Sequence, residues 1–179
     1  MGVFDETKCD CCVCPMQCVL EQLVEETIFI QTVVSEDEVV ITGVKDFIVS
    51  SDIGNFPICQ ITQMFIEDPT NTLITRVLSA LKPIKNSKEE CACCEDPMTN
   101  LLKFEIGNTF EIEFIGPNVP FTDEILGVGE GIVIGVAFED GFTFLDIFSS
   151  CAITRTTPVT QQQINDPDRP SRRNTPPPA

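Results

Sequence analysis

Ten cysteines carry most of the reactive chemistry in this 179-residue chain, and histidine, tryptophan and tyrosine are absent. Eight of the ten gather in two clusters: Cys9, Cys11, Cys12, Cys14 and Cys18, then Cys91, Cys93 and Cys94. Thiols in such clusters can form disulfides, bind a metal or stay reduced. Neighbouring residues such as Cys11 and Cys12, or Cys93 and Cys94, point in different directions, so they suit two partners better than each other. Near a segment start they can reach another subunit as readily as their own, which favours disulfide crosslinking. The alternative is a structural metal site. Cys9-x-x-Cys12, Cys11-x-x-Cys14 and Cys91-x-x-Cys94 have zinc-ligand spacing, and Cys9, Cys12, Cys91 and Cys94 together would make a closed four-thiolate site. The spacing fits iron–sulfur patterns poorly. Cys59 and Cys151 fall inside strand patterns, where a reduced thiol acts as a small hydrophobe.

The remaining chemistry is sparse. Without histidine there is no Cys-His or Ser-His nucleophile pair and no His-ligated metal. The CxxC pairs lack the βαβ setting of a thioredoxin-like site. Glu25-Glu26, Glu36-Asp37-Glu38, Glu89-Glu90 and Glu95-Asp96 read as solvated surface, without EF-hand spacing. No catalytic dyad is expected, and no enzyme. Twenty-eight acidic residues against eleven basic ones give a net charge of −17. Such a surface argues against nucleic-acid binding, which needs Lys and Arg to displace phosphate counterions. No run of eighteen apolar residues is present, so no membrane-spanning helix is expected. The acidic start lacks the basic and apolar parts of a signal peptide. Glu6 stands where a myristoylation site needs Ser or Thr.

An internal repeat organises these residues. Cys9-Asp-Cys11-Cys12-Val-Cys14-Pro15-Met16 matches Cys91-Ala-Cys93-Cys94-Glu-Asp-Pro97-Met98, 82 positions later. Gly43-Val44 matches Gly127-Val128 at an offset of 84, and Cys59-Gln-Ile61-Thr62 matches Cys151-Ala-Ile153-Thr154 at 92. The order is kept and the offset grows only at expected loops. The unit is about 60 residues, a size at which small domains fold alone. Met16, Val19, Leu20, Leu23 and Val24 recur at helical spacing, with a shorter version in Met98, Leu101 and Leu102. About five short strands follow in each unit, with Gly54-Asn55 and Asp140-Gly141 as turn dipeptides.

The expected organisation is a Cys-rich segment (1–14), a first small barrel (15–66), a linker (67–90), a second small barrel (91–157) and a disordered Pro-rich tail (158–179). In the linker, Leu73, Ile74, Val77, Leu78 and Leu81 suit a helix capped by Asn71 or Thr72, stopped by Pro83 and docked on one barrel. A strand is the alternative there. The tail carries six prolines and a charge of +1, leaving −18 elsewhere.

A short helix followed by five bent strands, with Gly43 in the second and Asp46-Phe47-Ile48-Val49 leading the third, resembles the Sm-like (LSm) small barrel, an order shared with SH3-like barrels. The resemblance covers 15–66 and, less well, 97–154. The family's RNA-binding residues do not carry over: there is no Arg-Gly or Lys-Gly step near Cys59 or Cys151. The Cys9–Cys18 cluster and Pro-rich tail also resemble cysteine-rich proteins of the Bacillus-type spore surface, the coat and exosporium. That resemblance implies synthesis in the cytoplasm without a signal peptide, then crosslinking around the spore. The sequence therefore predicts a mainly β pair of tandem barrels. Its expected function is non-enzymatic and structural: self-assembly into a spore surface layer or filament through strand pairing and disulfides. Its partners would be copies of itself and other spore-surface proteins. The second reading is a zinc-stabilised intracellular binding module.

Overall fold

A computed structural model of the protein describes residues 13–84, 96–116 and 120–160. The expected Cys-rich start, the second CxCC cluster and all but the beginning of the tail lie outside them. The chain is mainly β. The elements run α1 (Val13–Leu20), β1 (Thr27–Thr32), β2 (Glu36–Lys45), β3 (Ile48–Ser51), β4 (Asn55–Pro57), β5 (Ile61–Glu67), α2 (Asn71–Ser79), α3 (Asp96–Leu102), β6 (Thr109–Phe114), β7 (Phe121–Gly129), β8 (Ile132–Glu139), β9 (Phe142–Ser149) and β10 (Ile153–Pro158).

Among the described residues, ten strands form one open sheet, in the order β10-β6-β7-β8-β9-β5-β1-β2-β3-β4. Within it β1 to β5 are arranged 5-1-2-3-4, and β6 to β10 repeat that order. Every neighbouring pair is antiparallel. The two halves meet where β5 pairs with β9, Gln63 opposite Phe148 through to Glu67 opposite Phe144. The sequence predicts two separate barrels; the two sets of strands instead share one continuous sheet.

Local sequence explains the elements. Met16, Val19 and Leu20 are buried along one face of α1, the i, i+3, i+4 stripe of an amphipathic helix. Ile28 and Ile30 in β1, and Phe110, Ile112 and Phe114 in β6, point inward at alternate positions, the period of a half-buried strand. Register shifts between Ile41 and Gly43 in β2, and between Ile125 and Gly127 in β7, bend both strands, as an extra residue in one strand does. Asp140 and Gly141 have φ of 53° and 87°, the left-handed pair of a tight hairpin turn.

α2 settles the linker as a helix. Its cap is Thr70, not Asn71 or Thr72: the Thr70 hydroxyl accepts from the Leu73 N–H at 3.1 Å. Leu73 and Val77 are buried against the first half, and Arg76 pairs with Glu26 at 2.5 Å. Leu78 and Leu81 lie over Gly127 and Gly129 of β7. The helix therefore packs on both halves rather than on one. The glycines make this possible, since a Cβ on Gly129 would sit 2.9 Å from the Lys82 carbonyl oxygen. One core cluster joins Ile28, Ile30 and Met64 of the first half to Ile134 and Ile147 of the second. A second cluster, around Leu102, Phe114 and Phe148, belongs to the second half alone.

Candidate functional site

Cys9, Cys11, Cys12, Cys91, Cys93 and Cys94 lie outside the described residues, and with them the proposed four-thiolate zinc set. Cys14 is in α1, without a described side chain. Cys18 follows one turn on, half-buried and free. Burial pushes the Cys18 thiol above its ordinary range; the Lys82 ammonium beside it opposes the rise and Glu21 adds to it. A thiol held protonated in this way is a poor nucleophile near neutral pH.

Cys59 and Cys151 depart from their expected place. Neither is a strand residue. Each is the middle residue of a 3-10 turn joining the fourth and fifth strands of its half, Ile58–Gln60 and Ser150–Ala152. The tighter turn breaks the two-residue alternation that would have buried them. Cys59 is exposed and free. Cys151 is half-buried and disulfide-bonded. The expected reduced thiol is present at Cys59, though exposed rather than buried, and is corrected at Cys151, which is oxidised. Both line one cavity of about 170 Å³ beside Val13 and Met16 of α1. One cavity is thus bordered by a cysteine with a free thiol, Cys59, and a cysteine in a disulfide, Cys151.

A buried polar seam at the β5–β9 junction was invisible to the sequence reading. Gln63 and Asp146 are both fully buried, and the Gln63 Nε2 donates to Asp146 Oδ1 at 2.5 Å. Gln31, opposite Gln63 on β1, is also buried. Asp123 completes the group from β7, lying over Gly135, where an added Cβ would be 2.6 Å from the Asp123 Cβ. Gly135 in turn lies opposite Asp146. A glycine inside the apolar run Ile132-Val-Ile-Gly135-Val-Ala-Phe138 was the one available signal, since strand glycines mark close approach. One side-chain hydrogen bond of the seam, from Gln63 to Asp146, crosses the junction, while Gln31 Oε1 and Gln63 Oε1 are buried without a hydrogen-bond partner among the described residues; its role is structural.

Among the described residues, no three His, Cys, Asp or Glu side chains converge as metal ligands do. No helix among them is long and apolar enough to cross a membrane. No family model, curated protein or solved structure matches the chain.

Proposed function

We propose that this chain is a non-enzymatic structural building block that assembles with copies of itself, covalently joined through its clustered cysteines. The observation that carries the reading is the unequal state of two cysteines in matching turns that line one cavity: Cys151 is oxidised, while Cys59 is free and exposed. A chain that holds disulfide and accessible thiol together can pass a disulfide from within one copy to between two. The links would run through Cys9, Cys11, Cys12, Cys14 and Cys18 and through Cys91, Cys93 and Cys94. The resemblance of the Cys9–Cys18 start and Pro-rich tail to spore-surface proteins places the assembly, in this reading, in the coat or exosporium. Other proteins of that layer are further partners. There, oxidation after release from the mother cell removes the conflict between disulfides and a cytoplasmic origin.

The architecture belongs to the same proposal. Each half carries its strands in the order 5-1-2-3-4, led by a short helix, which supports a tandem pair of Sm-like units fused edge to edge. The test is intact mass after mild oxidation, then with reductant, then with chelator. Covalent multimers that return to the 19.8 kDa chain with reductant are expected. A single chain that loses about 65 Da with chelator would replace this reading with the zinc-stabilised module.

A further inference from the structure

Both edges of the open sheet carry a proline where the junction inside the chain carries an N–H. On β4, the Ile58 N–H donates inward to the Phe47 carbonyl at 2.9 Å. Backbone groups alternate in direction along a strand, so the Pro57 nitrogen faces outward. On β10, the Val159 N–H donates inward to Thr109 at 2.9 Å, so the Pro158 nitrogen also faces outward. The matching positions lie 92 residues apart in the aligned Cys59 and Cys151 blocks: Pro57 corresponds to Ser149 of β9, and Pro158 to Ile66 of β5. Those two residues sit on the strand sides that meet at the junction. The Ser150 N–H turns away toward Gly131, so that of Ser149 faces β5. Ile66 pairs with Leu145, in phase with the Asp68 N–H that donates to Thr143 at 2.7 Å.

From this we infer that β4 and β10 are terminated edges: two copies of the chain do not join by repeating the β5–β9 pairing between them. The inference rests on the self-assembly reading only in asking how copies join. In the register of the internal junction, Thr156 would pair with Asn55 and keep both donors. Thr154 opposite Pro57, and Pro158 opposite Ile53, would each lack one, leaving a carbonyl without its partner. β4 is also cut to three residues, against eight in β9. The Ser51–Gly54 turn, closed by a 2.8 Å bond from the Ser51 N–H to the Gly54 carbonyl, holds the residues that a full strand would need. Short strands, proline and charge are the known means of keeping sheet edges from adding strands, and Arg155 supplies a charge on β10. One feature pulls the other way. Leu101, half exposed, lines a groove of about 440 Å³ with Thr156 and Pro158, so a second copy would find apolar surface beside β10.

The experiment is sedimentation of the full chain in reductant, over a wide concentration range, for the wild type, Pro57→Ser/Pro158→Ile and Thr156→Pro. The first variant installs the residues of the internal junction. Thr156→Pro removes a donor that already faces outward, so it takes no hydrogen bond from the sheet, and a far-ultraviolet circular dichroism spectrum like the wild type's checks that the fold is kept. The wild type should sediment as the 19.8 kDa chain. The Pro57→Ser/Pro158→Ile variant should associate on the order of a hundredfold more tightly, from two restored hydrogen bonds and two carbonyls no longer stranded. Wild-type oligomers that Thr156→Pro disperses, or a double variant no more associated than the wild type, would overturn the inference. Because every arm is run reduced, failure of the disulfide reading would appear separately, as the absence of multimers on oxidation.

Discussion

Replacing Gln63 by Met tests the buried seam that ties the two halves together. The substitution keeps length and volume but removes the amide, leaving the Asp146 carboxylate without the donor now 2.5 Å away. Both side chains are fully buried, so water cannot take the donor's place. Taking one hydrogen bond from a buried acceptor costs about 1–3 kcal/mol, offset in part because the substitution also removes the Gln63 Oε1, which is buried without a hydrogen-bond partner among the described residues. About 1–3 kcal/mol of destabilisation is expected. Urea unfolding reads it, every variant being held in one redox state. With m of about 2 kcal/mol/M, the midpoint should fall by about 0.5–1.5 M at unchanged slope. The double variant Gln63→Met/Asp146→Leu removes donor and acceptor together. It should be clearly more stable than the sum of the two single changes predicts, with a coupling of about 1–3 kcal/mol. A neutral Gln63→Met, or single effects that add within about 0.5 kcal/mol, would refute the seam as a bonded unit.

Three further outcomes follow from packing, capping and thiol environment. Gly129→Ala should lose about 1–3 kcal/mol in the same unfolding assay, because the new Cβ meets the Lys82 carbonyl at 2.9 Å and backbone yields poorly. Thr70→Ala should cost about 1 kcal/mol through the lost cap of α2. In timed alkylation read by peptide mass, Cys59 should be modified well before Cys18, which is half-buried. The folded protein holds Cys18 protonated to higher pH than the unfolded chain does. Its labelling should therefore accelerate only as pH rises above the ordinary thiol range, and its contribution to stability should fall through the same rise. Equal rates at the two cysteines would contradict the described burial.

The strands were legible because half of each faces solvent: Ile28 and Ile30, or Phe110 and Ile112, alternate with polar neighbours, and five strands per unit could be counted from that period. Helix α2 was legible from Leu73, Val77 and Leu81. Its cap was not, because Thr70, Asn71 and Thr72 are all good capping residues and only geometry chooses among them. The continuous sheet was hidden for a different reason. Edge pairing between β5 and β9 depends on backbone groups that every residue carries, so no side-chain pattern announces it. Gln63, Asp123 and Asp146 were misleading in the same way, since a polar residue in a strand normally marks the wet face. Cys59 and Cys151 continue the strand patterns in the sequence, because a three-residue 3-10 turn leaves no period to detect.

Crosslinking between copies is tested most directly by mixing the full-length chain with a heavy-nitrogen-labelled copy of itself. The mixture is oxidised, digested without reductant, and searched by mass for disulfide-linked peptides. Heavy–light linked pairs are expected from the segments holding Cys9 to Cys18 and Cys91 to Cys94, lost on reduction. Linked peptides that are only light–light and heavy–heavy would place every disulfide within one chain and contradict crosslinking between copies.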